Sequence, residues 1–152
     1  MGGKLSLISR TNASACISKG QDMTVAGDDS SVTTIILAYN HELYISQTIE
    51  SALMQNYDKK HTIIISDDMS SDNTRKIIKY YAEKYSDVIK DISNDVNKGF
   101  SGNLRYCLDH VHTEYVEILE GDDYYSSPDK IQIQAHRLSL HPEYMMPELL
   151  RK

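Results

Sequence analysis

Tryptophan is absent and phenylalanine occurs once, against 11 tyrosines. The aromatic content is thus carried by a side chain with a polar tip, which suits half-buried positions. Basic residues are in deficit: 16 Lys and Arg face 22 Asp and Glu, a formal net charge of -6. This excludes an extended nucleic-acid surface, which needs clustered cations to neutralise phosphate. A small phosphate ligand is not excluded, because acidic residues can hold a divalent cation that in turn holds the phosphate. Cysteine is scarce. Cys16 and Cys107 lack metal-ligand spacing and read as free thiols in a reducing cytosol. Long apolar runs are missing as well. The longest, such as Thr33 to Ala38, are strand-sized, and no transmembrane helix is expected. Leu5-Ser6-Leu7-Ile8 beside Lys4 is too short for a signal-peptide core. Asn12-Ala13-Ser14 matches a glycosylation acceptor, which has meaning only in a secreted protein.

What remains is ordinary for one soluble domain: 152 residues, 40% hydrophobic and 25% charged. Residues 1–31 are rich in Gly, Ser, Thr and Asp without a sustained period, and read as a disordered tail or leader. At Val32 the composition changes. Val32 to Tyr39 is an apolar, β-branched run of the kind buried on both faces of a parallel sheet. Leu43 to Gln55 places Ile45, Ile49, Ala52 and Leu53 on one helical stripe. His61 to Ser66 is a second buried strand. After a polar loop, Ser71 or Asp72 can cap a helix running to about Tyr85. Val88 to Ser93 is a weaker strand, Ser101 to His110 a short helix, and Glu114 to Glu120 a fourth strand. Ser127-Pro128 starts a last helix that ends near His141-Pro142. This alternation predicts an open, mostly parallel α/β sheet with flanking helices over residues 32–144, followed by a short tail, 145–152.

Ligands of such sheets bind outside the carboxyl ends of the strands, where strand order reverses. The segments that follow the four strands are Tyr39-Asn40-His41-Glu42, Asp67-Asp68-Met69-Ser70-Ser71-Asp72, Asn94-Asp95-Val96-Asn97-Lys98-Gly99 and Glu120-Gly121-Asp122-Asp123. Parallel strands bring all four to one edge, so the acidic residues converge there. The opposite edge carries plainer loops, such as Asn56 to Lys60. Converging carboxylates are costly without a cation, and oxygen ligands suit Mn²⁺ or Mg²⁺ with a phosphate-bearing substrate. Gly121 lets the backbone approach a ligand. Taken singly, each feature has a plainer role. Asp67 and Asp68 could serve the loop and cap, Asp122 and Asp123 the turn, Tyr39 the core, and Lys98 the loop surface. The six scattered histidines read as solvated or packed. Co-location of the loops favours the functional reading.

These residues also carry a resemblance. Val32 to Asn40, with Ser51-Ala52-Leu53-Met54-Gln55-Asn56-Tyr57 ending the next helix, is similar to the opening of family 2 glycosyltransferases. Asp67 to Thr74 resembles that family's second-strand motif, and Asn97 to Asn103 the loop before its third helix. Glu120-Gly121-Asp122-Asp123-Tyr124-Tyr125, then Pro128-Asp129-Lys130, resembles its DXD region and following helix. Four motifs in order make the likeness specific over Val32 to about Tyr144. It implies the Rossmann-like A-type glycosyltransferase fold, truncated here, and sugar transfer from a nucleotide diphosphate-sugar to a hydroxyl acceptor with inversion.

By the resemblance, Tyr39 stacks on the base and Asp68 hydrogen-bonds it, with Asp67 nearby. Asn40, Glu42, Lys98 and Asn103 join the substrate-binding set. Asp122 and Asp123 hold the ribose and a Mn or Mg ion that bridges the diphosphate. Glu120, in place of a frequent Asp, is a third metal candidate with a longer reach. Leu37-Ala38 replaces Pro-Thr or Thr-Ser before the Tyr and removes a hydroxyl contact. The catalytic base is expected C-terminal to Lys152 and is not assigned. The resemblance further implies a glycan or lipid-linked acceptor, cell-surface polysaccharide synthesis, and a cytoplasmic location at the inner face of a membrane. An exposed strand edge and apolar surface predict self-association.

Two other readings compete. A nucleotide-binding module or split-gene remnant would need a partner chain for transfer. A phosphoacceptor signalling domain would want an acidic pair after the first strand and a Lys after a fifth. The pairs here follow the second and fourth strands.

Overall fold

The computed structural model describes residues 9–10 and 31–141. Its elements in chain order are β1 (Ser9–Arg10), β2 (Val32–Ala38), α1 (Ile45–Leu53), β3 (His61–Asp67), α2 (Thr74–Lys84), β4 (Ile89–Asp91), α3 (Gly99–Leu108), β5 (Tyr115–Glu120) and α4 (Lys130–Leu140). They form one sheet of order β1-β5-β2-β3-β4. The strands β5, β2, β3 and β4 run parallel, as the alternation predicts. β1 pairs antiparallel with β5 at the edge. Within the segment read as a disordered tail or leader, Ser9–Arg10 forms this two-residue strand, which has no periodic signature. The rest of that segment, with Cys16 and the Asn12 acceptor pattern, and the 145–152 tail lie outside the described residues.

β2 is buried at all seven positions because it is central and covered on both faces. Val32, Ile36 and Ala38 face the larger core, with Ile49 of α1, Ile78 of α2 and Ile131 of α4. Ile35 and Leu37 point the other way, into a smaller core with Cys107 of α3 and Val116 of β5. The layering follows from connectivity. The first two crossovers, through α1 and α2, build the sheet outward from β2 to β4. The third returns past β2 to place β5 on its other side, so a right-handed connection puts α3 on the opposite face. Strand order thus reverses between β2 and β5.

Boundaries shift for local reasons. α1 starts at Ile45 rather than Leu43, because the amides of Tyr44 and Ile45 both donate to the His41 carbonyl in a preceding turn (2.9 Å each). α3 starts at Gly99, whose φ of 69° is reached by Gly without steric cost. α4 starts at Lys130, three residues after Ser127, whose hydroxyl accepts from Asp129 N–H (3.3 Å). β4 shrinks to three residues at the sheet edge, with Lys90 and Asp91 exposed.

Two groups beside or within the cores, the partly buried His61 and the buried Cys107, set local chemistry. Thr34 Oγ1 lies 2.9 Å from His61 Nε2, and burial pushes the His61 pKa down to about 4. Burial also pushes the Cys107 thiol up to about 11, as an inert core thiol requires.

Candidate active site

The carboxyl ends of β2 and β5 meet where strand order reverses, and a cavity of about 220 Å³ opens there. Its wall is made by Leu37, Ala38 and Tyr39 from β2 and the residue after it, and by Glu120 from β5. Asp68 and Asn103 are almost wholly buried and belong to the polar part of the lining, with His41, Asn97 and Glu120. Tyr39 and Phe100, at 50% and 58% exposure, bring two aromatic rings to the cavity.

The rim is held by reciprocal bonds between the first two loops. The amides of Asn40, His41 and Glu42 donate to Ser70 Oγ (2.8 Å), Thr74 Oγ1 (2.8 Å) and Asp72 Oδ2 (3.1 Å). In return Asn40 Oδ1 accepts from Ser71 N–H (2.9 Å) and Glu42 Oε2 accepts from Asn73 N–H (2.9 Å). Asn40 reaches this geometry at φ 55°, a conformation Asn tolerates better than most residues. Asn40 and Glu42, expected to touch substrate, are placed as braces between loops. Asp72 also accepts from Thr74 N–H (2.9 Å), so it caps α2 from just outside the helix. Burial alone would raise the Asp72 carboxyl; the bonds from Thr74 and Glu42 hold it below the usual carboxylate range.

The two adjacent aspartates differ in role. Asp67 is fully buried, and its carboxylate accepts from the Ser70 amide (3.0 Å) and the Ser70 hydroxyl, which turns the loop. Asp68 Oδ1 accepts from Lys98 N–H (2.8 Å). Among the described residues no partner engages its other oxygen, and Asp68 lines the cavity. Asn103 Oδ1 accepts from Ser66 Oγ (2.6 Å) and Asn94 Nδ2 (2.8 Å), while its amide donates to the Ser66 carbonyl (3.2 Å). This buried network fixes α3 on β3. Lys98 carries its ammonium to Asn94 Oδ1 and over the Tyr106 ring, 4.7 Å from the centroid, and does not line the cavity.

On the β5 side, Gly121 N–H donates to the Leu37 carbonyl (2.8 Å), and Thr48 Oγ1 donates to the Gly121 carbonyl (2.9 Å). Asp122 is exposed and Asp123 half-buried, with Asp123 N–H bonded to the Glu120 carbonyl (3.0 Å) in a tight turn. Among the described residues no three His, Cys, Asp or Glu side chains are grouped to hold a metal. The carboxylates of Asp122 and Asp123 instead sit on a turn open to solvent. Oxygen-only ligands of this kind suit Mn²⁺ or Mg²⁺ completing its shell from water and phosphate.

Of the residues singled out by sequence, Tyr39, Asp68, Asn103 and Glu120 line the cavity; Asn40, Glu42, Asp67, Lys98, Asp122 and Asp123 do not. His41, Asn97, Gly99 and Phe100 line it and were not singled out. Phe100 carried a signal, being the one Phe of the chain and set in a polar loop. His41 carried none, since its neighbour across the site, Gly121, is 80 positions away.

Comparison with known proteins places most of the described region in one family. The family model described as Glycosyl transferase family 2 matches residues 33–146. EpsE of Bacillus subtilis (strain 168), which carries a glycosyltransferase name, is 39% identical over 115 residues. That match covers 76% of this chain and 41% of EpsE. WfaP of Escherichia coli, named a UDP-Glc:alpha-D-GlcNAc-diphosphoundecaprenol beta-1,3-glucosyltransferase, is 39% identical over 69% of this chain and 40% of its own. Among solved structures, S. aureus TarS 1-349 in complex with UDP superposes with a TM-score of 0.65 at 25% identity, over 74% of this chain and 33% of TarS. The mannosyltransferase PcManGT from Pyrobaculum calidifontis, in complex with GDP-Man and Mn²⁺, shares the fold with a TM-score of 0.62 at 24% identity, over 66% of this chain and 30% of its own. The chain thus spans about two fifths of the curated relatives just named. With a family match over three quarters of its length and the A-type sheet of its structural neighbours, the chain belongs to glycosyl transferase family 2.

Proposed function

We propose that this region binds the nucleoside diphosphate of a nucleotide-sugar donor, and that the protein transfers the sugar to a hydroxyl acceptor with inversion. One observation carries the reading. At the switch point between β2 and β5, an aromatic ring, Tyr39, stands beside a buried carboxylate, Asp68, with one oxygen unengaged. A planar base stacks on Tyr39 while Asp68 accepts a base N–H. Discrimination by such a buried acceptor is strong, because a base lacking the donor leaves the carboxylate unpaired. UDP is the nucleotide to test first, since the WfaP and TarS names carry it.

Asp122 and Asp123 are the residues that would hold a divalent cation beside the diphosphate. The cation, when bound, supplies charge stabilisation to the departing diphosphate. The protein's part is orientation: the brace through Asn40 and Glu42 sets the Tyr39 loop, and the Asn103 network sets the α3 end of the cavity. The acceptor we propose is a glycan or lipid-linked hydroxyl at a membrane surface, of the class the WfaP name describes. Among the described residues no helix is long and apolar enough to cross a membrane.

Calorimetric titration of UDP, GDP and dTDP, with and without Mn²⁺, tests the donor reading. Saturable binding that needs Mn²⁺ and is lost in the Asp122→Ala, Asp123→Ala double variant is expected. Absence of binding by all three nucleotides contradicts it.

A further inference from the structure

Among the described residues, the sheet face that carries α3 is covered over only part of its length. α3 packs Cys107, Leu104 and Leu108 onto Ile35, Leu37 and Val116, and ends at Leu108. Toward the N-terminal ends of the strands the same face bears Thr33, Thr62 and Lys90. Thr33 pairs with Thr62 and Ile64 with Lys90, so these side chains lie side by side. Lys60, two residues before Thr62, joins them at the entry to β3. His110 and His112 arrive from the loop between α3 and β5. Together they enclose a hollow of about 130 Å³, at the edge of the sheet opposite the candidate donor cavity, and among the described residues no carboxylate lines it.

Two details give this hollow a chemical character. His110 Nδ1–H donates to the Tyr106 carbonyl (2.8 Å), and its ring packs edge-on to Tyr106 at 4.7 Å. Its orientation is fixed, leaving Nε2 as the nitrogen free for a ligand. Among the described residues none of Lys60, Lys90, His110 and His112 forms an ion pair. In a chain of net charge -6, the two lysines stand here without a counter-charge among the described residues and repel each other, and an anion relieves that repulsion.

We propose that this hollow is an anion site of the phosphate class. Lys60 and Lys90 supply the charge, and His110 Nε2, His112 and the Thr62 hydroxyl complete a set of donors from several directions. Donors spread in this way suit a tetrahedral oxyanion, whereas a planar carboxylate is matched by a single guanidinium fork. A soluble phosphate and the headgroup of an anionic lipid present the same chemistry.

The test is an NMR titration of the His110 and His112 ring protons with inorganic phosphate, at constant pH and with chloride matched for ionic strength. Saturable shifts with phosphate and none with chloride are expected. Affinity falls about tenfold or more in the Lys60→Gln, Lys90→Gln variant, and is largely kept in Lys60→Arg, Lys90→Arg. Both variants change exposed side chains, and an unchanged thermal midpoint confirms that they fold. Shifts that follow chloride equally, or a Gln variant that binds like the parent, overturn the site. Sedimentation with phosphatidylglycerol vesicles, but not phosphatidylcholine vesicles, and release by phosphate assign the lipid headgroup as the source. Saturable phosphate binding without sedimentation assigns a soluble phosphate.

Discussion

Gly121 lies directly against the ring of His41: a Cβ at Gly121 would come within 2.5 Å of His41 Nδ1 and 3.1 Å of the Leu37 carbonyl oxygen. His41 Nδ1 is itself buried without a partner among the described residues. The end of β5 and the loop after β2 are thus in contact through a residue that must lack a side chain. The first consequence concerns stability. Gly121→Ala should cost about 1–3 kcal/mol in chemical denaturation, the usual penalty for overpacking. Adding His41→Ala removes the closest clash and should recover part of that loss. Two independent, additive effects would show that the contact does not constrain the site.

Asp68 offers a test of chemistry that leaves packing almost unchanged. Asp68→Asn preserves shape and keeps an oxygen for the Lys98 amide (2.8 Å in the parent), while placing an amide donor where the free carboxylate oxygen stands. UDP affinity should fall about tenfold or more, with little change in denaturation midpoint. Asp67→Asn should show the reverse weighting, because Asp67 is bonded to Ser70 and does not line the cavity. Equal effects on UDP binding from the two variants would contradict this division of roles.

His61 predicts how stability depends on pH. Its pKa is lowered from 6.5 to about 4 by burial, so the folded state binds fewer protons than the unfolded chain between those values. The stability this preserves is complete above about pH 6.5 and is lost as pH falls toward 4, by on the order of 2–3 kcal/mol. Asp72, held below the usual carboxylate range, adds a further loss at lower pH. Denaturation midpoints measured from pH 7 to 4 should fall, and His61→Gln should flatten the upper part of the curve. A parent curve that stays level through this range would refute the assignment.

How much of this was legible in the sequence differs from element to element. The buried strands were, because Val32 to Ala38 and Ile63 to Ile65 have no polar face to offer water. The convergence of four loops at one edge followed from the parallel alternation alone. The division between Asp67 and Asp68 was not legible: adjacent residues of identical chemistry part only when Ser70 and Lys98 are brought beside them. Asn40 and Glu42 had the residue types of ligand contacts. Their bonds to Ser71 and Asn73, 31 positions on, exist only once β2 and β3 are paired. The strand at Ser9–Arg10 is too short for any period to mark it.

The central claim, that the cavity between β2 and β5 holds the nucleotide, is tested most directly by mapping backbone amide shifts in NMR as UDP and Mn²⁺ are added. Saturable shifts should concentrate at Tyr39, Asp68, Asn97, Asn103 and Glu120, which line that cavity. Shifts confined to the opposite edge, around Lys60 and His112, or no saturable shifts at all, would contradict it.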